Sequence, residues 1–142
     1  MKKRYKVLII IGAVIAVLII AGIIAFSSVE KSLEALKVTD IEDVSLSEVK
    51  DGVYIGSYSA FPVSAEVRVK VKGHAIEEIV LVKHTHGQGG AAETIPQRVV
   101  EAQSLSVDAV SGATYSSKVI LLAIEDALGK GAALSNPLKA LP

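Results

Sequence analysis

The stretch Asp108-Ala109-Val110-Ser111-Gly112-Ala113-Thr114-Tyr115-Ser116-Ser117 gathers small residues and hydroxyls directly ahead of an apolar run. As local structure it approaches a helix N-terminus, where hydroxyl side chains serve as caps. The same place suits an anion. The first amides of a helix have no acceptor of their own, the positive end of the dipole faces outward, and Gly112 and Ala113 leave room for a phosphate to come close. On these residues alone, a plain cap and a phosphate site both stay open.

The histidines are the other residues that could do chemistry. His84 and His86 alternate on an extended stretch and would share a face, so with His74 they offer imidazoles to a metal. The chain has no cysteine, and no carboxylate stands at ligand spacing beside them, so no metal site is expected. The absence of cysteine also removes disulfides, thiolate nucleophiles and iron–sulfur clusters, and any redox chemistry must come from a cofactor. No Ser-His-Asp order and no paired carboxylates point to hydrolysis. Fifteen basic residues balance 15 acidic ones, so the chain lacks the basic field that nucleic acid requires, and no nucleic-acid partner is expected. Tyr54, Tyr58, Phe61 and Tyr115 read as core or turn aromatics.

What must position these residues begins at the membrane. From Val7 to Phe26 every residue is Val, Leu, Ile, Ala, Gly or Phe, and a helix of about 20 such residues matches the roughly 30 Å hydrocarbon core. Lys2, Lys3, Arg4 and Lys6 precede it, whereas Glu30 and Glu34 mix with Lys31 and Lys37 after it, which puts the N-terminus in the cytoplasm and the rest outside. A cleaved signal peptide shares the basic start, but its apolar run is usually only about 7–15 residues. Either reading exports the domain. The expected organisation is a basic start over 1–6, a transmembrane helix over 7–26, a stalk helix and tether over 27–48, a domain over 49–130 and a tail over 131–142.

Within the domain, Asp51-Gly52 turns the chain into a β-branched and aromatic run, the first strand. Ala65 to Lys72 alternates Val67, Val69 and Val71 against charged neighbours, as a half-buried strand does. Gly73-His74 turns it into a partner strand over Ala75 to His84. Gly87-Gln88-Gly89-Gly90 is a glycine-rich loop, and a helix follows with Pro96 in its first turn. Leu105 to Val110 reads as a short extended piece. Ser116 to Leu128 is the strongest amphipathic pattern, with Gly129 and Gly131 expected to end it. The fold class is α+β: a small antiparallel meander with helices packed on one side, preceded by one N-terminal transmembrane helix.

Asp-x-x-Ser-Gly-Ala-Thr ahead of an apolar helix resembles the flavinylation motif of the FMN-binding domain family. That family includes the C subunit of the sodium-translocating NADH:quinone reductase and the G subunit of the Rnf complex. The resemblance extends to Asp51-Gly52-x-Tyr54-x-Gly56, the hairpin, His84 before the glycine loop, and Glu101-Ala102-Gln103-Ser104, over roughly 49–128. It implies FMN joined by a phosphodiester to Thr114, the acceptor of a separate exported flavin transferase that uses FAD. Ser111, Gly112, Ala113 and Asp108 are the motif neighbours, and His84 is a hydrogen-bond donor to the reduced ring. Family members often carry Thr-Pro-Gly after the histidine, where this chain reads His84-Thr85-His86-Gly87. The resemblance therefore implies a membrane-anchored, extracytoplasmic electron carrier rather than a stand-alone enzyme, with redox partner proteins that the sequence does not name. The rival readings are a non-redox anchored interaction or sensing module, with the motif as a cap, and the same fold holding FMN noncovalently.

Overall fold

The alternation of valine and charge over 65–72 is realised in full by the middle strand, β2 (Val63–Lys72). Val63, Ala65, Val67, Val69 and Val71 are buried on one face, while Arg68, Lys70 and Lys72 look outward. The computed structural model describes residues 2–135, with side chains from residue 5 onward. Strands β1 (Gly52–Ala60) and β3 (Ala75–Thr85) flank β2, both antiparallel to it, in the order β1-β2-β3. Gly73 and His74 make the two-residue β2–β3 turn with φ of 60° and 61°, the left-handed pair that a tight hairpin of this twist demands. Asp51 Oδ1 accepts the Gly73 N–H at 2.8 Å and ties that turn to the start of β1.

One face of the sheet is covered by α3 (Thr114–Ser135), and β3 is also packed by α2 (Ile95–Ala102), with Pro96 in its first turn as expected. The stripe Val119, Leu122, Ala123, Ile124 and Leu128 is buried, but so are Ile120 and Leu121. The helix is enclosed on a second side by the segment 39–51, from which Val49 is fully buried and Ile41, Val44 and Leu46 pack against the core. Nor does α3 stop at Gly129 or Gly131. A Cβ on Gly131 would fall 2.6 Å from Val49 Cγ1 and 2.8 Å from Tyr54 Cε2, so this glycine allows close packing and does not break the helix. Residues 131–135 of the expected tail continue α3; the remainder of the tail, 136–142, lies outside the described residues.

Toward the N-terminus, the expected membrane span and stalk helix form one unbroken helix, α1 (Lys2–Val38), long and apolar enough to cross a membrane. Its C-terminal end is gripped by the domain. Lys118 of α3 donates from Nζ to the carbonyls of Leu36 (3.0 Å), Lys37 (2.7 Å) and Thr39 (2.9 Å), a cation placed where the helix dipole is negative and carbonyls lack partners. Leu36 itself is buried in the core. The stretch expected as a tether is likewise held. Asp43 accepts from Ser104 Oγ at 2.6 Å and from the Leu105 N–H at 3.0 Å, and Ser135 Oγ bonds the Glu48 carbonyl. Local sequence shows a helix and acidic breaks there; the partners that fix them lie some 60 to 90 residues further on.

Lys118→Met is expected to lower stability by about 1–3 kcal/mol, the range for hydrogen bonds from a charged donor, and to speed amide exchange over 36–44. Unchanged exchange in that stretch would mean that Leu36 burial alone holds the junction.

Candidate functional site

The path into the motif is set by the end of α2. Gln103 takes up the left-handed conformation (φ 53°), and its side chain brackets Ile76, with Oε1 accepting the N–H at 2.8 Å and Nε2 donating to the carbonyl at 2.9 Å. Leu105 is then buried, and residues 106–110, expected as a short extended piece, form no strand; the Val107 N–H turns back to the Leu105 carbonyl at 2.8 Å. The turn that follows is closed by the Ala113 N–H donating to the Val110 carbonyl at 2.9 Å, with Gly112 at φ 78°.

Ser117 holds this turn from inside. Fully buried, its Oγ accepts the Val110 N–H at 3.0 Å and donates to the Ala113 carbonyl at 2.9 Å. Ser116, also buried, meets the glycine loop, since a Cβ on Gly89 would lie 2.7 Å from Ser116 Cβ. The loop thus rests directly on the first turn of α3. Both serines belong to the hydroxyl run that the sequence presents as caps; their roles depend on which side of α3 is buried, which the run itself does not reveal.

Between the glycine loop and the motif lies a concavity of about 210 Å³, lined by residues 87–89 and 112–116 with Val63. Gly112, Ala113 and Thr114 border it, and Ser111 sits exposed beside it. Thr114 begins α3, is exposed, and its hydroxyl makes no hydrogen bond. A Cβ on Gly87 or Gly112 would meet nothing within 4 Å, so bare backbone faces open space on both sides. The amides that open α3 have no intrahelical acceptor. The site therefore combines open backbone, unpaired donors and a free hydroxyl, a donor set that fits an esterified phosphate. Asp108 is exposed and outside the lining, with Arg98 Nη1 reaching its carbonyl at 3.5 Å.

His84 also lies outside this lining. Its side chain is 2% exposed, and its Nδ1 is 3.2 Å from Glu93 Oε1. His86 stacks on it, ring centroids 4.4 Å apart, with Nε2 3.6 Å from the same oxygen. Sequence spacing finds no carboxylate beside the histidines, and the structure corrects this: the glycine loop and the short turn Gly90–Thr94 fold Glu93 back onto both rings. His74 does not join them, since it sits in the turn at the other end of β3.

A larger concavity, about 750 Å³, lies further along α3 around Glu42, Glu125 and Asp126. Burial pushes the Glu125 carboxyl above its usual range. Asp43 and Glu48 add to this acidic rim, where Lys130 pairs with Asp126 at 2.7 Å. A phosphate would be repelled there, so the smaller site is the one suited to an anion.

The family model described as FMN-binding domain matches residues 58–129, half of the chain, from within β1 to the middle of α3. The chain belongs to the FMN-binding domain family. An uncharacterised protein of Treponema pallidum (strain Nichols) is 36% identical over 87 residues, 59% of this chain and 24% of that protein. The NADH:acrylate oxidoreductase of Vibrio harveyi is 28% identical over 122 residues, 82% of this chain and 12% of that enzyme. The chain thus spans a quarter or less of the relatives it matches. FMN is the cofactor of this FMN-binding domain, and every residue lining the 210 Å³ concavity falls inside the family match.

Ser117→Ala leaves the Val110 N–H without its acceptor and is expected to cost the FMN-binding domain about 1–3 kcal/mol. Flavin loading should fall with it, read as flavin absorbance per chain. Full loading at wild-type stability would remove Ser117 from its positioning role.

Proposed function

We propose that the chain is a membrane-anchored electron carrier whose FMN is attached to Thr114 by a phosphodiester, with the domain on the extracytoplasmic side. The observation that carries this reading is Thr114 itself: an exposed hydroxyl with no partner, at the first residue of α3, inside the family match. A flavin transferase is the partner that the linkage requires, because a neutral threonine hydroxyl is a weak nucleophile and no described side chain is hydrogen-bonded to it as a base. In that step the Thr114 Oγ–phosphorus bond forms, the pyrophosphate bond of FAD breaks, AMP leaves, and the hydroxyl proton passes to the transferase.

Bound FMN supplies one- and two-electron chemistry. The residues here bind and orient it. The opening amides of α3 and the backbone of Gly112 would hold the phosphate, with Ala113 small enough to let it approach, Ser111 exposed beside the turn and Asp108 on the approach to it. The 210 Å³ concavity is smaller than the roughly 300–1,000 Å³ of sites that enclose a ligand. A flavin held there would therefore extend beyond the concavity, open to a redox partner, and His84 would donate to its ring only on movement of the glycine loop that exposes the imidazole. The relation to an NADH:acrylate oxidoreductase supports redox use over a sensing or docking role. The basic residues in the first turns of α1 support a cytoplasmic N-terminus.

Lys118 adds a structural reason to expect electron exchange near the membrane. It lies one helical turn from Thr114 and grips the end of α1, so the flavin and the anchor share one rigid element.

The test is intact mass and in-gel fluorescence under denaturing conditions on the full chain co-expressed with a flavin transferase. One FMN per chain that survives denaturation is the expected result. Flavin released by denaturation would make the binding noncovalent, and a chain with no flavin at all would overturn the carrier reading.

A further inference from the structure

We propose that His84, His86 and Glu93 form a mononuclear site for a transition-metal dication such as Zn²⁺, built beside the glycine loop. Three observations converge on it. The first is separation. Ligand atoms about 2.0–2.1 Å from one tetrahedral ion lie roughly 3.3–3.4 Å from each other. Here His84 Nδ1 and His86 Nε2 stand 3.2 Å and 3.6 Å from Glu93 Oε1, and one donor atom from each of the three side chains fits within 4.8 Å of the others.

The second is hydrogen bonding. A neutral imidazole has one N–H and one lone pair. If His84 simply donates to Glu93, its Nε2 lone pair stays buried without a donor. His86 fares worse, because 3.6 Å is beyond hydrogen-bond range and its Nδ1 is buried without a partner. Two stacked imidazoles aimed at one oxygen are poorly served as a hydrogen-bonded group. A cation between Nδ1 of His84, Nε2 of His86 and Oε1 of Glu93 uses all three lone pairs, and the opposite nitrogens, His84 Nε2 and His86 Nδ1, become N–H groups that have no acceptor among the described residues, so a bound water would complete this second shell.

The third is the framework. His84 and His86 project to one side of the end of β3, and His84 is 2% exposed, so its ring is held by packing before any ion arrives. A Cβ on Gly90 would crowd His86 Cε1 at 3.3 Å, which keeps that approach narrow. Glu93 is half exposed and opens the site to solvent.

Two nitrogens and one carboxylate oxygen suit Zn²⁺, Co²⁺ or Fe²⁺, whereas Mg²⁺ and Ca²⁺ prefer oxygen alone. Three protein ligands leave a fourth position for water or an outside ligand. Because Gly89 rests on Ser116, an ion here stiffens the loop that borders Thr114. The site itself does not depend on the flavin linkage.

The test is Co²⁺ titration of the chelator-treated full chain in detergent, followed by Zn²⁺ displacement, in flavin-free and flavin-loaded preparations. One Co²⁺ per chain with the visible bands of a four-coordinate ion is expected in both, displaced by one Zn²⁺. Because His84→Ala empties a buried position and risks misfolding, the variants are His86→Ala and Glu93→Gln. Each should weaken binding at least about 100-fold, the upper end of what loss of an outer-shell partner costs. His74→Ala, at the far end of β3, should change nothing. No Co²⁺ uptake by wild type, uptake unchanged in both ligand variants, or uptake abolished by flavin loading overturns the site; the last would give the histidines to the flavin instead.

Discussion

Thr114→Ala should abolish denaturation-resistant flavin while leaving the fold within about 0.5 kcal/mol of wild type, the usual range for a surface substitution away from special contacts. The hydroxyl makes no hydrogen bond and the side chain is exposed, so its removal takes nothing from the core. The hydroxyls nearby do not substitute for it. Ser116 and Ser117 are buried, and Ser117 is committed to Val110 and Ala113. Ser111 is the remaining exposed candidate, and Ser111→Ala is expected to keep one FMN per chain. Intact mass of both variants, co-expressed with the transferase, separates the positions. Thr114→Ala that keeps the mass of one FMN, or Ser111→Ala that loses it, would move the attachment elsewhere. Because the opening amides of α3 remain in the Thr114 variant, flavin that it holds loosely and releases on denaturation is compatible with the assignment.

The motif was legible because its requirements are local. A glycine at positive φ, small neighbours and a following apolar helix all lie within ten residues, and each leaves a mark in residue type. The hairpin was legible for the same reason: alternation sets the face, and Gly73-His74 sets the turn. Contacts between distant segments leave no such mark. Lys118 looks like a solvated charge on α3, yet its three acceptors lie about 80 residues earlier. Glu93 lies seven residues beyond His86, a spacing with no ligand signature, and only the path of the glycine loop brings it back. Gly131 carries the residue type of a helix stop, and whether a glycine ends a helix or allows another segment close depends on what passes beside it. Here that is Val49 and Tyr54.

Gly56 puts the same distinction to a measurement, because Gly56→Ala and Gly129→Ala are expected to shift stability in opposite directions. Gly56 lies in β1 where the strand crosses α3. A Cβ there would meet the Ala123 carbonyl oxygen, the Ala127 nitrogen at 2.5 Å and Ala127 Cβ at 2.8 Å. Two of these three are backbone atoms of a buried helix, which no rotamer change can move aside. The strand must lift from the helix, at an overpacking cost of about 1–3 kcal/mol. For a domain near 100 residues that corresponds to roughly 4–8 °C in Tm per kcal/mol. At Gly129 an added Cβ meets nothing within 4 Å and the residue is exposed within α3. Alanine there removes the backbone entropy that glycine loses in a helix and should raise stability by about 0.5–1 kcal/mol. Thermal unfolding of both variants as full chains in detergent reads the difference directly. If Gly56→Ala matched wild type, β1 would not be seated on α3 as described; if Gly129→Ala were destabilising, α3 would end near the glycines, as its sequence suggests. Since Thr114 opens that same helix, a Gly56 variant that loosens β1 from α3 should also load less flavin than its Gly129 counterpart, which ties the packing of the sheet to the function of the site.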